Sequence, residues 1–115
     1  MNAREQFIDK AYTAFNKRNI DGVLVLMHTD VDWPNGWEGG YVHGHDAVRD
    51  YWTRQWKEID PEVWPLKYEH INEITVKVSV HQKVKDMSGK ILMDKNVIHI
   101  YFFQDGLIKR MEIVE

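Results

Sequence analysis

The chain has 115 residues, a net charge of −3 and no cysteine. That length gives a single domain, expected over residues 1–115, large enough to bury a core without staples. The missing cysteines exclude disulfides, thiolate nucleophiles and cysteine-held zinc or iron–sulfur centres, and the mild acidity offers nucleic acid no basic field.

Phe7, Ile8, Ala11, Tyr12, Ala14 and Phe15 recur at helical spacing and predict a first helix with one wide apolar face. Asn16-Lys17-Arg18-Asn19 interrupts the pattern. Asn19 suits the N-cap of a short second helix that carries Val23, Leu24, Leu26 and Met27. Val31-Asp32-Trp33 reads as a short strand, stopped by Pro34-Asn35-Gly36. A glycine-rich loop follows from Trp37 to Gly44. A third helix begins near Asp46, with Val48, Tyr51, Trp52, Trp56 and Ile59 on its apolar side, and Asp60-Pro61 ends it.

The second half reads as strands. A weaker one runs from Val63 to Ile71, and Pro65 places it at a sheet edge. Ile74 to Lys85 alternates, with Ile74, Val76, Val78, Val80, Gln82 and Val84 on one face. After a turn at Met87 to Lys90, a long strand reaches Phe103. Asp105-Gly106 is a hairpin signal, and Leu107 to Val114 closes the set. The apolar run near Val97 to Phe103 is too short to span a bilayer, and Met1 to Glu5 has no apolar leader. A soluble, cytoplasmic protein is expected. Helices first and antiparallel strands after make an α+β architecture.

Four segments in this order carry a resemblance. They are Ala11 to Met27, Asp30 to Gly36, His43 to Trp52 and Phe102 to Ile113. Together they resemble a nuclear transport factor 2-like domain of the SnoaL type. The resemblance implies a cone: three N-terminal helices wrapped by a bent antiparallel sheet around a cavity. It also implies where a steroid-isomerase site would lie. The tyrosine position falls at Ala11, one step from Tyr12. The general-base position falls at Trp33, and the oxyanion-donor position at His99. That base is therefore missing. The fold hosts isomerases, cyclases, hydrolases, dehydratases and non-catalytic binders alike, so the resemblance leaves the reaction unassigned.

The residues themselves suggest a pocket. Bulky groups converge from the first helix (Tyr12, Phe15), the first strand (Trp33), the loop (Trp37), the third helix (Tyr51, Trp52, Trp56) and the late strands (Tyr101, Met111). Each is either core or ligand lining. His99 sits inside an apolar run and is the sharpest candidate. It is either a structural histidine bonded to a neighbour or a group that polarises a carbonyl. Gln82, alone in a valine ladder, poses the same choice. Asp32 is the second candidate for catalysis, although alternation sets it opposite to Trp33.

Two function classes follow. One is a binding module for a small apolar molecule. The other is an acid–base enzyme of isomerase, cyclase or dehydratase type acting on a small apolar carbonyl compound through His99. Neither requires a cofactor. His43-x-His45 has metal-like spacing but no fixed third ligand, so no metal is expected. The outward side chains Ile98, Ile100 and Phe102 point to a homodimer formed through the sheet. No nucleic-acid or membrane partner is expected.

Overall fold

The computed structural model describes residues 2–115. Helix α1 spans Ala3–Asn16, and the Asn2 side chain caps it by accepting from the Glu5 N–H. Arg18 takes a left-handed backbone (φ 63°) just past its end, which lets the Arg18 and Asn19 N–H groups bond back to Phe15 and Ala14. Helix α2 spans Ile20–Leu24, and the Asn19 side chain accepts from the Gly22 N–H at 3.0 Å. A Cβ at Gly22 would stand 2.5 Å from the Asn19 side chain, so the cap requires glycine there. This helix is shorter than its apolar pattern predicts. Met27 already belongs to strand β1, which runs Met27–Pro34.

Strand β2, Tyr41–His43, lies inside the segment expected to be only a loop. Helix α3 covers His45–Glu58 and passes directly into β3, Ile59–Asn72. Strands β4 (Thr75–Asp86), β5 (Ile91–Gln104) and β6 (Leu107–Val114) follow. Asp105 and Gly106 connect the last two with φ of 54° and 76°, the backbone hand that a two-residue hairpin turn needs. Ile74 falls outside β4 and is exposed, while Val76, Val78 and Val80 are fully buried.

One sheet holds all six strands in the order β2-β1-β6-β5-β4-β3. It is mixed rather than wholly antiparallel, because β1 runs parallel to β6. The long stretch between them, β2, α3 and β3 to β5, supplies the crossover such a pairing needs. Edge strand β3 accommodates Pro65, as expected. Bulges at Leu66, Leu92 and Lys109 add residues on one side of a ladder and bend the long strands. The helices fill the concave side. Ile8, Val31, Val48, Val76, Val78, Val80 and Ile108 have no exposure at all and seal the narrow part of the cone. Among the described residues, no helix is long and apolar enough to cross a membrane.

Candidate ligand-binding site

The wide end of the cone is not filled. A cavity of about 280 Å3 opens between α1, α3 and the concave face of the sheet. Strand alternation builds its sheet wall. Val97, His99, Tyr101 and Phe103 turn inward from β5 and are all buried. His99, Tyr101 and Met111 line the cavity, with Gln82 from β4 nearer the rim, where a shallower pocket also uses it. Helix α1 contributes Tyr12 and Phe15, and β1 contributes Trp33. Tyr51 and Trp52 come from α3, and Trp37 from the loop, 38% exposed.

The aromatic wall is continuous. Ring contacts run from His99 to Tyr101 (6.3 Å), to Trp33 (6.4 Å) and to Trp52 (5.6 Å). Trp56 does not reach the cavity. It stacks behind Trp52 at 5.6 Å, beside Phe15, with the Arg18 guanidinium over its ring. One helical turn separates it from Trp52, and that rotation moves it from the lining into the layer behind.

Tyr12 and His99 form the polar centre. The Tyr12 hydroxyl lies 2.8 Å from His99 Nδ1, and both residues are buried. Burial pushes the His99 pKa down to about 4, so the imidazole is neutral at neutral pH. Burial likewise raises the Tyr12 pKa well above its ordinary value, with Tyr101 adding to the effect. Two neutral partners share one hydrogen bond. Phenol is the stronger acid and imidazole the stronger base, so Tyr12 donates and Nδ1 accepts. Nε2 then carries the ring proton. Among the described residues Nε2 has no hydrogen-bond partner. The tyrosine one step from the expected position is therefore the one that reaches His99.

Asp32 is on the opposite side of the sheet. Its carboxylate accepts from His43 at 2.8 Å and lies 3.8 Å from Arg110 and 4.0 Å from Lys109. The His43 hydrogen bond, helped by those cations, holds its pKa below the usual carboxylate value. Alternation forces this, because Trp33 next to it occupies the cavity. Glu38 is equally remote, bonded to Arg54 and Asn35 at 2.9 Å each. Among the described residues no carboxylate lines the cavity. His45 bonds the Met27 carbonyl at 3.0 Å, away from His43, and no group of three or more potential metal ligands is present among the described residues.

Several lining residues lie outside the set expected from the sequence, and Gln55 is the one among them with a polar side chain. Gln55 is 8% exposed, lines the cavity and donates through Nε2 to the Tyr51 hydroxyl at 2.9 Å. Burial pushes the Tyr51 pKa up to about 12, opposed by the backbone N–H groups of Trp37 and Gly36 and by Gln55. The signal was spacing: Gln55 stands four after Tyr51 and three after Trp52, on the same helix face.

The SnoaL-like domain profile matches residues 8–111. The chain belongs to the SnoaL-like domain family. No curated protein matches this SnoaL-like domain. Solved structures do. A nuclear transport factor 2-like protein of unknown function from Burkholderia pseudomallei K96243 is 24% identical, with TM-score 0.85, covering 98% of this chain and 90% of that one. TerC, co-crystallised with polyporic acid, is 24% identical with TM-score 0.86 and coverage of 98% and 91%. A Mycobacterium tuberculosis protein in complex with estradiol-17beta-hemisuccinate is 15% identical with TM-score 0.83, covering 98% and 93%. At these identities the likeness establishes the cone fold.

Proposed function

We propose that this SnoaL-like domain binds one small, mostly apolar molecule whose oxygen acceptor meets Nε2–H of His99. The observation that carries the reading is the buried Tyr12–His99 pair, which spends Nδ1 and leaves Nε2 without a partner among the described residues. The aromatic wall supplies affinity by removing apolar area from water. The imidazole supplies direction, since a buried donor discriminates strongly between ligands that answer it and those that do not. The ligands held by TerC and by the mycobacterial protein support the reading by likeness of fold. Among the described residues no carboxylate lines the cavity, which favours binding over acid–base turnover of the steroid-isomerase kind. Any turnover would rest on polarisation of a carbonyl by His99 Nε2–H, with Tyr12 holding the imidazole in place.

The test is a mass-spectrometric search for a molecule carried through purification, repeated with His99→Phe. A ligand with a carbonyl or similar acceptor, lost or loosened in the variant, supports the reading. An unchanged ligand complement rejects it.

The same proposal includes a homodimer through the convex sheet face. Ile98, Ile100 and Phe102 alternate with the buried residues of β5 and keep part of their surface exposed. Light scattering at micromolar concentration should give twice the chain mass, and Phe102→Glu should halve it. A wild-type monomer overturns this part.

A further inference from the structure

The buried side chains of the cavity leave one polar atom unanswered on the helical wall. Gln55 is 8% exposed, and its Oε1 has no hydrogen-bond partner among the described residues, although Nε2 bonds Tyr51. Natural cores rarely leave a buried amide oxygen bare, because its lost hydration is not returned. Gln55 lines the same cavity as His99, which comes from the sheet wall, but Oε1 itself is closed to solvent, so a ligand meets it only when the Gln55 side chain rotates toward the cavity. The cavity therefore carries polar groups on both its helical and its sheet wall, with Trp33 and Trp52 lining it as well.

We infer that Gln55 is a second anchor, and that the ligand is bifunctional: an acceptor oxygen for His99 and a hydroxyl for Gln55. A hydroxyl is the group that fits. An amide can exchange its oxygen and nitrogen by a half-turn. As placed, Oε1 seeks a donor. Turned over, Oε1 would accept from the Tyr51 O–H and Nε2 would seek an acceptor. A hydroxyl both donates and accepts, so it satisfies either orientation. An ether or a second ketone satisfies only one. This inference rests on the proposed binding function and narrows its ligand class.

The test uses biphenyl carrying an acetyl group at one end, a hydroxyl at the other, both, or neither, with affinities read by tryptophan fluorescence and calorimetry. The doubly substituted probe should bind the wild type about tenfold more tightly than the acetyl probe. Gln55→Met should erase that gain and keep the acetyl gain, while His99→Phe does the reverse. If the hydroxyl brings no gain, or if the gain survives Gln55→Met, the inference falls. If the acetyl group brings no gain over biphenyl, the proposed role of His99 falls instead, and the hydroxyl comparison still judges Gln55. Should Gln55→Met fail to fold, wild-type protein decides. The Gln55 side-chain amide resonance must move with the hydroxyl probe and stay put when a methyl group replaces that hydroxyl; movement with both, or with neither, overturns the assignment.

Discussion

The Tyr12 hydroxyl and His99 Nδ1 stand 2.8 Å apart although 87 positions separate the two residues in the chain. Helix α1 and strand β5 meet at this bond, so it ties the cone's inner helix to the middle of its sheet. It also sets which imidazole nitrogen faces the cavity.

Tyr12→Phe should therefore act twice. It leaves a buried imidazole nitrogen unpaired, at a cost of about 1–3 kcal/mol. It also frees the ring to place its proton on Nδ1, which weakens donation to a ligand. Urea unfolding measures the first effect. Binding of an acetyl-bearing aromatic probe measures the second, and the Tyr12→Phe/His99→Phe double variant should lose less than the sum of the two single changes.

Acid should weaken the fold through His99. Burial holds its pKa at about 4 against an ordinary 6.5. Between those values the unfolded chain binds a proton that the folded chain refuses. The stability at stake is fully present above pH 6.5 and drains away as pH falls toward 4, by about 3 kcal/mol at most. In His99→Phe the slope of unfolding free energy over this window should be shallower than in the wild type. Equal slopes would refute the assignment.

The tryptophans should separate sharply. Trp52 is 1% exposed and touches the rings of Phe15, Trp33 and Trp56. Trp52→Ala should cost about 3–5 kcal/mol. Trp37 is 38% exposed at the rim. Trp37→Ala should change stability little and ligand affinity measurably, read by calorimetric melting and by titration.

Asp32→Asn offers a control. The carboxylate sits on the outer face with His43, Lys109 and Arg110. Ligand affinity should stay within about twofold of the wild type, a change too small to register a lost hydrogen bond. A larger loss would place Asp32 in the site after all.

Local signals in the sequence are faithful here, and distant ones are mute. The alternation of Val76, Val78 and Val80 puts them on one face of β4, and Asp105-Gly106 marks the β5–β6 hairpin to the residue, because both depend on neighbours in the chain. The inward turn of Val97, His99 and Tyr101 is legible for the same reason. Strand β2 is not, since three residues among glycines carry no periodicity. Nor is the parallel pairing of β1 with β6, which depends on where two segments meet in space. The site divides in the same way. Trp33 inward and Asp32 outward follow from parity, whereas the Tyr12–His99 bond depends on how α1 lies across β5. Gln55 is masked by its residue type, because a polar residue on a helix is most often solvated, although its spacing from Tyr51 and Trp52 sets it on the inward face.

Strand β6 is the sixth in chain order yet stands third in the sheet, between β1 and β5. It is a keystone placed last. A ribosome that has delivered everything up to Gln104 has made a two-stranded piece, β2 with β1, and a three-stranded piece, β5 to β3, with no strand pairing to join them. Until Leu107–Val114 emerges, both pieces show an open edge, and the aromatic wall has no enclosure. The sheet of this cone therefore closes as a whole and only once its last strand is available, so the two halves of the aromatic wall are brought together in a single late step.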